Sequence, residues 1–183
     1  MKIFPSLTDL ADADLHNVLL LWQGLGYYSR ANRIHESSKL LIQCVGFNRD
    51  LDPQSWPSGI DQWMSLPGIG RSTAGSIISS AFDLPTPILD GNVKRIFSRL
   101  LASERTSSKD EKRLWEFSSL LISNLKPREF NQALMDLGAI ICTPKKPSCS
   151  FCPLKDFCVA YAKYDPHDFP KKEMIKRNPY QEV

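Results

Sequence analysis

The chain has 183 residues, 42% hydrophobic and 23% charged, a balance that excludes wholesale disorder. No apolar run approaches the ~20 residues of a membrane span, and Met1-Lys2-Ile3-Phe4-Pro5 leads to Asp9, Asp12 and Asp14 with no targeting signal. Lys and Arg number 23 against 20 Asp and Glu, and the net charge of +3 collects in residues 121–183, which hold 10 basic and 7 acidic groups; this permits phosphate contacts and equally describes a solvated face.

In chain order, the apolar spacing is helical almost throughout, and strand-length alternation of Val, Ile and Thr is absent. Leu15, Val18, Leu19 and Trp22 predict a helix from Asp14, broken by Gly24 and Gly26. Ala31, Ile34, Ser38, Leu41 and Ile42 predict a second, ending near Gly46, with Cys44 on its apolar face as a core thiol. Asn48 to Pro57 reads as a loop, and a short helix through Ile60, Trp63 and Met64 stops at Pro67. A helix over about 72–82 is rich in small residues and suited to close packing. Asp83-Leu84-Pro85-Thr86-Pro87 is a rigid connector, followed by helices at about 91–103, 109–125 and 128–142. Beyond Cys158 the Pro- and Lys-rich chain is expected to fray. The fold class is all-α.

Four of the five cysteines fall in Cys142-x6-Cys149-x2-Cys152-x5-Cys158. That cluster cannot staple a chain of this length, so a metal centre in a reducing compartment is favoured over a secreted disulfide scaffold. Pro144, Pro147 and Pro153 favour turns that let the four thiolates converge. Spacing alone leaves both zinc and an iron–sulfur cluster open, although zinc sites more often pair two short Cys knuckles and only one is present.

Leu66-Pro67-Gly68-Ile69-Gly70 joins two helical segments. Its glycines tolerate left-handed backbone and leave no side chain over the turn, so N–H groups at the start of the next helix can face a phosphate. With Arg71-Ser72-Thr73-Ala74 after it, the pattern resembles the helix-hairpin-helix, a reader of DNA backbone.

The hairpin, then Asp90-Gly91-Asn92-Val93-Lys94-Arg95, then the four cysteines, occur in the order of the endonuclease III superfamily of DNA glycosylases, which the chain resembles from about Pro5 to Tyr161. The resemblance implies an incomplete helix-hairpin-helix six-helix barrel plus a helical 4Fe-4S cluster domain. Residues 1–85 would carry the barrel and hairpin, 86–165 the cluster, and 166–183 a linker or tail. Trp22 to Arg30, Ile88 to Arg95 and Asn131 to Ala139 are similar to the adenine DNA glycosylase, or MutY-type, branch. That branch hydrolyses the N-glycosidic bond of adenine mispaired with 8-oxoguanine or guanine in double-stranded DNA. The implied protein is a monomer with a 4Fe-4S cofactor, cytoplasmic and nucleoid-associated in a bacterium.

Such an enzyme extrudes its target nucleotide, makes adenine a leaving group and stabilises an oxocarbenium-like sugar. The resemblance places Asp90 beside the developing positive charge, Asn92 as its orienting neighbour and Ser72 as a hydroxyl near the centre. As local chemistry, Asp90 is equally a helix N-cap, and Asn92 and Ser72 are ordinary first-turn polar residues. Leu25 and Tyr27 resemble residues that contact the strand opposite the extruded base, or else they close a buried helix end. Leu66, Gly68, Gly70 and Arg71 would grip the DNA backbone, and Cys142, Cys149, Cys152 and Cys158 would hold the cluster.

Two departures qualify the resemblance. The family's general acid, a Glu near a Gln-rich segment, would lie upstream of Met1, and Glu36 sits in the surroundings of a different helix. In this family a domain similar to Nudix hydrolases follows the Phe169-Pro170-Lys171-Lys172 linker. The chain is therefore expected to be an interior portion with impaired activity, leaving a catalytically dead DNA-binding fragment as the alternative. An endonuclease III-type AP lyase is disfavoured, because Ser72 occupies the position of that branch's Schiff-base lysine; Lys94 is the remaining suspect.

Overall fold

The computed structural model describes residues 3–45, 56–103 and 108–170, and all regular structure among them is helical. None of the described helices is long and apolar enough to cross a membrane. The chain divides into two compact units, Met1–Ala74 and Gly75–Val183. That division falls ahead of the expected functional boundary at 85/86, inside the helix that follows the hairpin. Most of the expected 48–57 loop, and the Cys44 side chain with its expected core role, lie outside the described residues.

In the first unit, α1 (Leu7–Asp12) and α2 (Leu15–Leu21) both pack on α3 (Tyr28–Val45). Helix α1 was not among the expected elements. Its signal is a capping box, in which Asp9 N donates to Ser6 Oγ at 3.1 Å and Ser6 N to Asp9 Oδ2 at 3.0 Å. Asp14 caps α2, accepting from His16 N at 2.7 Å. Between α2 and α3 the backbone is left-handed at Gly24, Gly26 and Tyr27. The buried His35 donates from Nε2 to Ala13 O at 3.0 Å, tying α3 to the α1–α2 junction. Helix α4 (Ile60–Met64) leads through the glycine turn into α5 (Arg71–Phe82).

In the second unit, α6 (Gly91–Leu100) is the central element and packs against α7 (Ser108–Leu121), α8 (Pro127–Asp136) and α9 (Val159–Lys163). Its Val93, Ile96 and Phe97 join Ile88, Leu89, Leu114 and Leu134 in the core, where each fully buried apolar side chain contributes about 1.5–3 kcal/mol. Gly75 is required where α5 meets the connector, because a Cβ there would lie 2.3 Å from Pro87 O. Asn131 of α8 donates to Ser79 Oγ at 2.9 Å and to Thr86 O at 3.0 Å, fixing the connector to both helices.

The last three expected helices end early. Helix α6 stops at Leu100 because Ala102 turns left-handed. Helix α7 stops at Leu121, and Ser123 Oγ then accepts from Leu125 N and Lys126 N, offering the backbone a local alternative. Helix α8 gives way at Leu137–Ile141 to a wider π-helical turn, closed by Cys142 N donating to Leu137 O at 2.7 Å. The expected fraying beyond Cys158 is corrected over 159–170. There α9 and a 3-10 turn at Pro166–Asp168 form, and Phe169 is buried. Residues 171–183 of the expected tail lie outside the described residues.

Candidate functional site

Asp90 ends the connector and caps α6, its Oδ1 accepting from Val93 N at 2.8 Å. The half-buried carboxylate is thus fixed at a helix N-terminus. Asn92 shares that first turn, but its Oδ1 is taken by Arg95 Nη2 at 2.8 Å. The same nitrogen donates to Gly138 O at 2.7 Å, and Arg95 Nε donates to Cys142 O at 2.8 Å. Arg95 therefore braces the turn bearing Asp90 and Asn92 against the π-helical segment. Burial lowers the Arg95 pKa from its ordinary value, while the Cys142 and Asp90 charges oppose that shift. Gly138 makes the close approach possible, since a Cβ there would lie 2.6 Å from Asn92 Cβ.

One turn further along α6, Arg99 is 2% exposed. Its Nε donates to Pro166 O at 2.8 Å and Phe169 O at 3.1 Å. Its Nη1 donates to Thr143 O at 2.9 Å and Cys142 Sγ at 3.2 Å. A buried guanidinium demands such saturation. Arg95 and Arg99 are the residues that sequence reasoning missed. Their signal is a pair of arginines four apart, on one face of α6 beside the core residue Ile96.

Cys142, Cys149, Cys152 and Cys158 are all half-buried free thiols and line one cavity of about 30 Å3. That is roughly twice the ~10–15 Å3 that admits a single water. Burial pushes the Cys149 thiol up, reinforced by the Cys142 and Cys158 charges; burial likewise raises Cys152. Crowded sulfurs of this kind are relieved by positive charge among them. Among the described residues, no three metal-binding side chains close on a single ion position. Four cysteines facing one cavity are a donor set that suits an iron–sulfur cluster or a single tetrahedral ion.

The hairpin sits in the first unit. Leu66 is buried and anchors the turn, while Gly68, Gly70 and Arg71 are exposed. Gly68 has φ +77, and a Cβ on it would lie 2.4 Å from Arg33 Cδ. Ser37 Oγ donates to Pro67 O at 3.4 Å, so α3 holds the turn at two points. Ser72 is the second residue of α5, half-buried. On the α2–α3 turn, Leu25 is 63% and Tyr27 80% exposed, which sets aside the buried helix end for both. Lys94, the residual lyase suspect, is paired with Glu111 Oε2 at 3.5 Å.

Residues 1–119 match the family profile described as HhH-GPD superfamily base excision DNA repair protein, and residues 142–158 match the iron-sulfur binding domain of endonuclease III. The cysteine cavity is therefore an iron–sulfur site. The chain is 40% identical to an adenine DNA glycosylase of Buchnera aphidicola subsp. Schizaphis graminum over 94% of its own length and 48% of the relative's. It is 38% identical to the Schizosaccharomyces pombe adenine DNA glycosylase, covering 100% of this chain and 41% of that one. The mouse adenine DNA glycosylase is 41% identical, covering 88% and 30%. The chain thus spans half or less of the length of these relatives. A solved thermostable thymine-DNA glycosylase superposes with TM-score 0.74 at 27% identity, covering 88% of this chain and 72% of that one. An endonuclease III–DNA complex superposes with TM-score 0.68 at 24% identity over the same shares, a likeness of fold.

Proposed function

The chain belongs to the HhH-GPD superfamily of base excision DNA repair proteins, and from that premise we propose that it carries the adenine-excising machinery of a DNA glycosylase acting on adenine opposite 8-oxoguanine or guanine. The observation that carries this reading is the Asp90 carboxylate, pinned by its own cap at the start of α6 and backed by Arg95. A carboxylate held in place before the reaction offers negative charge to the oxocarbenium-like sugar without reorganising. Asn92, held by Arg95, keeps that turn in register, and Ser72 contributes a hydroxyl near the reacting sugar.

The hairpin turn, anchored by the buried Leu66, grips the DNA backbone through the exposed Gly68 and Gly70 and the Arg71 cation. Leu25 and Tyr27 enter the stack opposite the extruded adenine and replace its lost contacts. Cys142, Cys149, Cys152 and Cys158 would hold a 4Fe-4S cluster, which cross-links the loops from 142 to 158 when bound. In functional terms residues 1–85 serve as the hairpin-bearing part and 86–165 as the cluster-bearing part, on which 166–170 pack through Arg99, and the protein acts as a monomer. A second reading is a DNA-gripping module that uses the hairpin and the cluster region without base release.

Single-turnover adenine release from an A·8-oxoguanine duplex separates the two, using iron-loaded protein with Asp90→Asn beside it. Asp90-dependent release upholds the glycosylase. Tight duplex binding without release, unchanged in Asp90→Asn, upholds the module.

A further inference from the structure

Arg30 stands where helix electrostatics disfavour it. It is the third residue of α3, and no acidic residue shares that first turn, so its charge meets the positive end of the helix dipole. Its compensation lies in two rings. The guanidinium carbon sits over Tyr27 at 5.1 Å from the ring centroid and over Trp22 at 5.8 Å, both within cation–π range. Trp22 is itself fixed, its indole N–H donating to Gly26 O at 2.9 Å. Arg30 N also donates to Tyr27 O at 2.8 Å. Tyr27 needs such support: its φ is +48, a region unfavourable for a bulky residue, and its ring is largely in solvent.

One helical turn on, the Arg33 side chain covers Gly68 of the hairpin. Residues three apart lie on one helix face. The first turns of α3 thus hold the Tyr27 turn through Arg30 and the hairpin turn through Arg33.

We infer that Arg30 is a positioning residue for Tyr27, clasping the exposed ring in the pose with which it enters the duplex. This rests on the proposed role of Tyr27 against the strand opposite the extruded adenine. Arg30 acts through the ring rather than on a phosphate, so its removal lowers discrimination rather than general affinity.

The test compares Arg30→Gln, Arg30→Lys, Tyr27→Ala and the Arg30→Gln/Tyr27→Ala double variant in the full chain. Binding is measured to a duplex with 8-oxoguanine opposite a non-cleavable adenosine analogue, and to its undamaged counterpart. Arg30→Gln is expected to weaken the mispair complex about three- to tenfold and leave the undamaged duplex unchanged. Arg30→Lys recovers part of the loss, and Arg30→Gln costs nothing more once Tyr27 is Ala. Equal loss on both duplexes, with the salt slope reduced by about one, identifies a phosphate contact and overturns the inference, as do additive losses in the double variant. If Tyr27→Ala leaves discrimination intact, the reading of Tyr27 fails instead. Hydrogen exchange of the free chain over residues 22–28 then decides the clasp: faster exchange in Arg30→Gln upholds it, and unchanged exchange removes it.

Discussion

Arg99 Nη1 donates to Cys142 Sγ at 3.2 Å from within α6, while its Nε holds the carbonyls of Pro166 and Phe169. One buried guanidinium thereby joins the first cluster cysteine to the segment that follows the last one. The cysteine loop is assembled around a cation supplied by the same helix that Asp90 caps.

Arg99→Leu strips the Thr143, Pro144, Pro166 and Phe169 carbonyls of their donor. Leaving the buried Phe169 carbonyl and the half-buried Thr143 and Pro166 carbonyls without this donor costs about 1–3 kcal/mol. The variant is expected to lose iron on purification and to unfold at lower denaturant. Iron content per chain and the urea midpoint measure both; full iron loading with an unchanged midpoint would show the guanidinium to be dispensable.

Gly138→Ala places a Cβ 2.6 Å from Asn92 Cβ. Overpacking of this kind costs about 1–3 kcal/mol, and it pushes Asn92 and Arg95 away from the turn that Asp90 caps. A lowered melting temperature with a still slower base release is expected. Wild-type stability would mean that the π-helical segment moves aside freely.

The two roles of Asp90 come apart in a pair of variants. Asparagine caps a helix about as well as aspartate, whereas alanine costs about 1 kcal/mol. Asp90→Asn is expected to keep the melting temperature and lose base release, and Asp90→Ala to lose both. Thermal melts beside single-turnover kinetics read the split, and equal destabilisation by the two variants would contradict the cap.

His167 gives a pH-dependent contribution. It bonds through Nδ1 to Asp165 Oδ1 at 2.6 Å and through Nε2 to Lys145 O at 3.0 Å. Both partners are acceptors, so only the imidazolium satisfies them together. The Asp165 carboxylate, then the Lys145 carbonyl, raise the His167 pKa. The stabilisation is complete below the unfolded value of about 6.5 and is lost as pH rises through the higher folded value. Asp165 is lowered, chiefly by the His167 backbone N–H, so its own share is present above an unfolded value of about 3.9 and is lost as pH falls through the folded one. Between these limits wild type is expected to melt slightly above His167→Gln, with the gap closing at alkaline pH. Melting curves of both proteins at about pH 5.5 and 8.5 check this, and a gap independent of pH would exclude the charged form. Because both groups are exposed, the effect is small.

Local rules made much of the fold legible. Helices α2 to α5 lie close to where apolar spacing and glycine breaks put them, because helix boundaries of this kind are set by neighbours within four residues. Helix α1 is equally local in origin, but its Ser6-x-x-Asp9 box is a signal of side-chain capping rather than of apolar spacing.

The sequence by itself determined the all-helical class, the order of hairpin, Asp90 motif and cysteines, and the cap that Asp90 forms, since each is a pattern of adjacent residues. Tertiary structure alone decided that Arg95 and Arg99 organise the cysteine loop, that Gly138 gives way to Asn92, that Phe169 is buried rather than frayed, and that Tyr27 stands in solvent. The Arg99 contacts join residues up to 70 positions apart. Such pairings form only when a buried charge must find acceptors within its own core, and no local pattern records which carbonyls will be there.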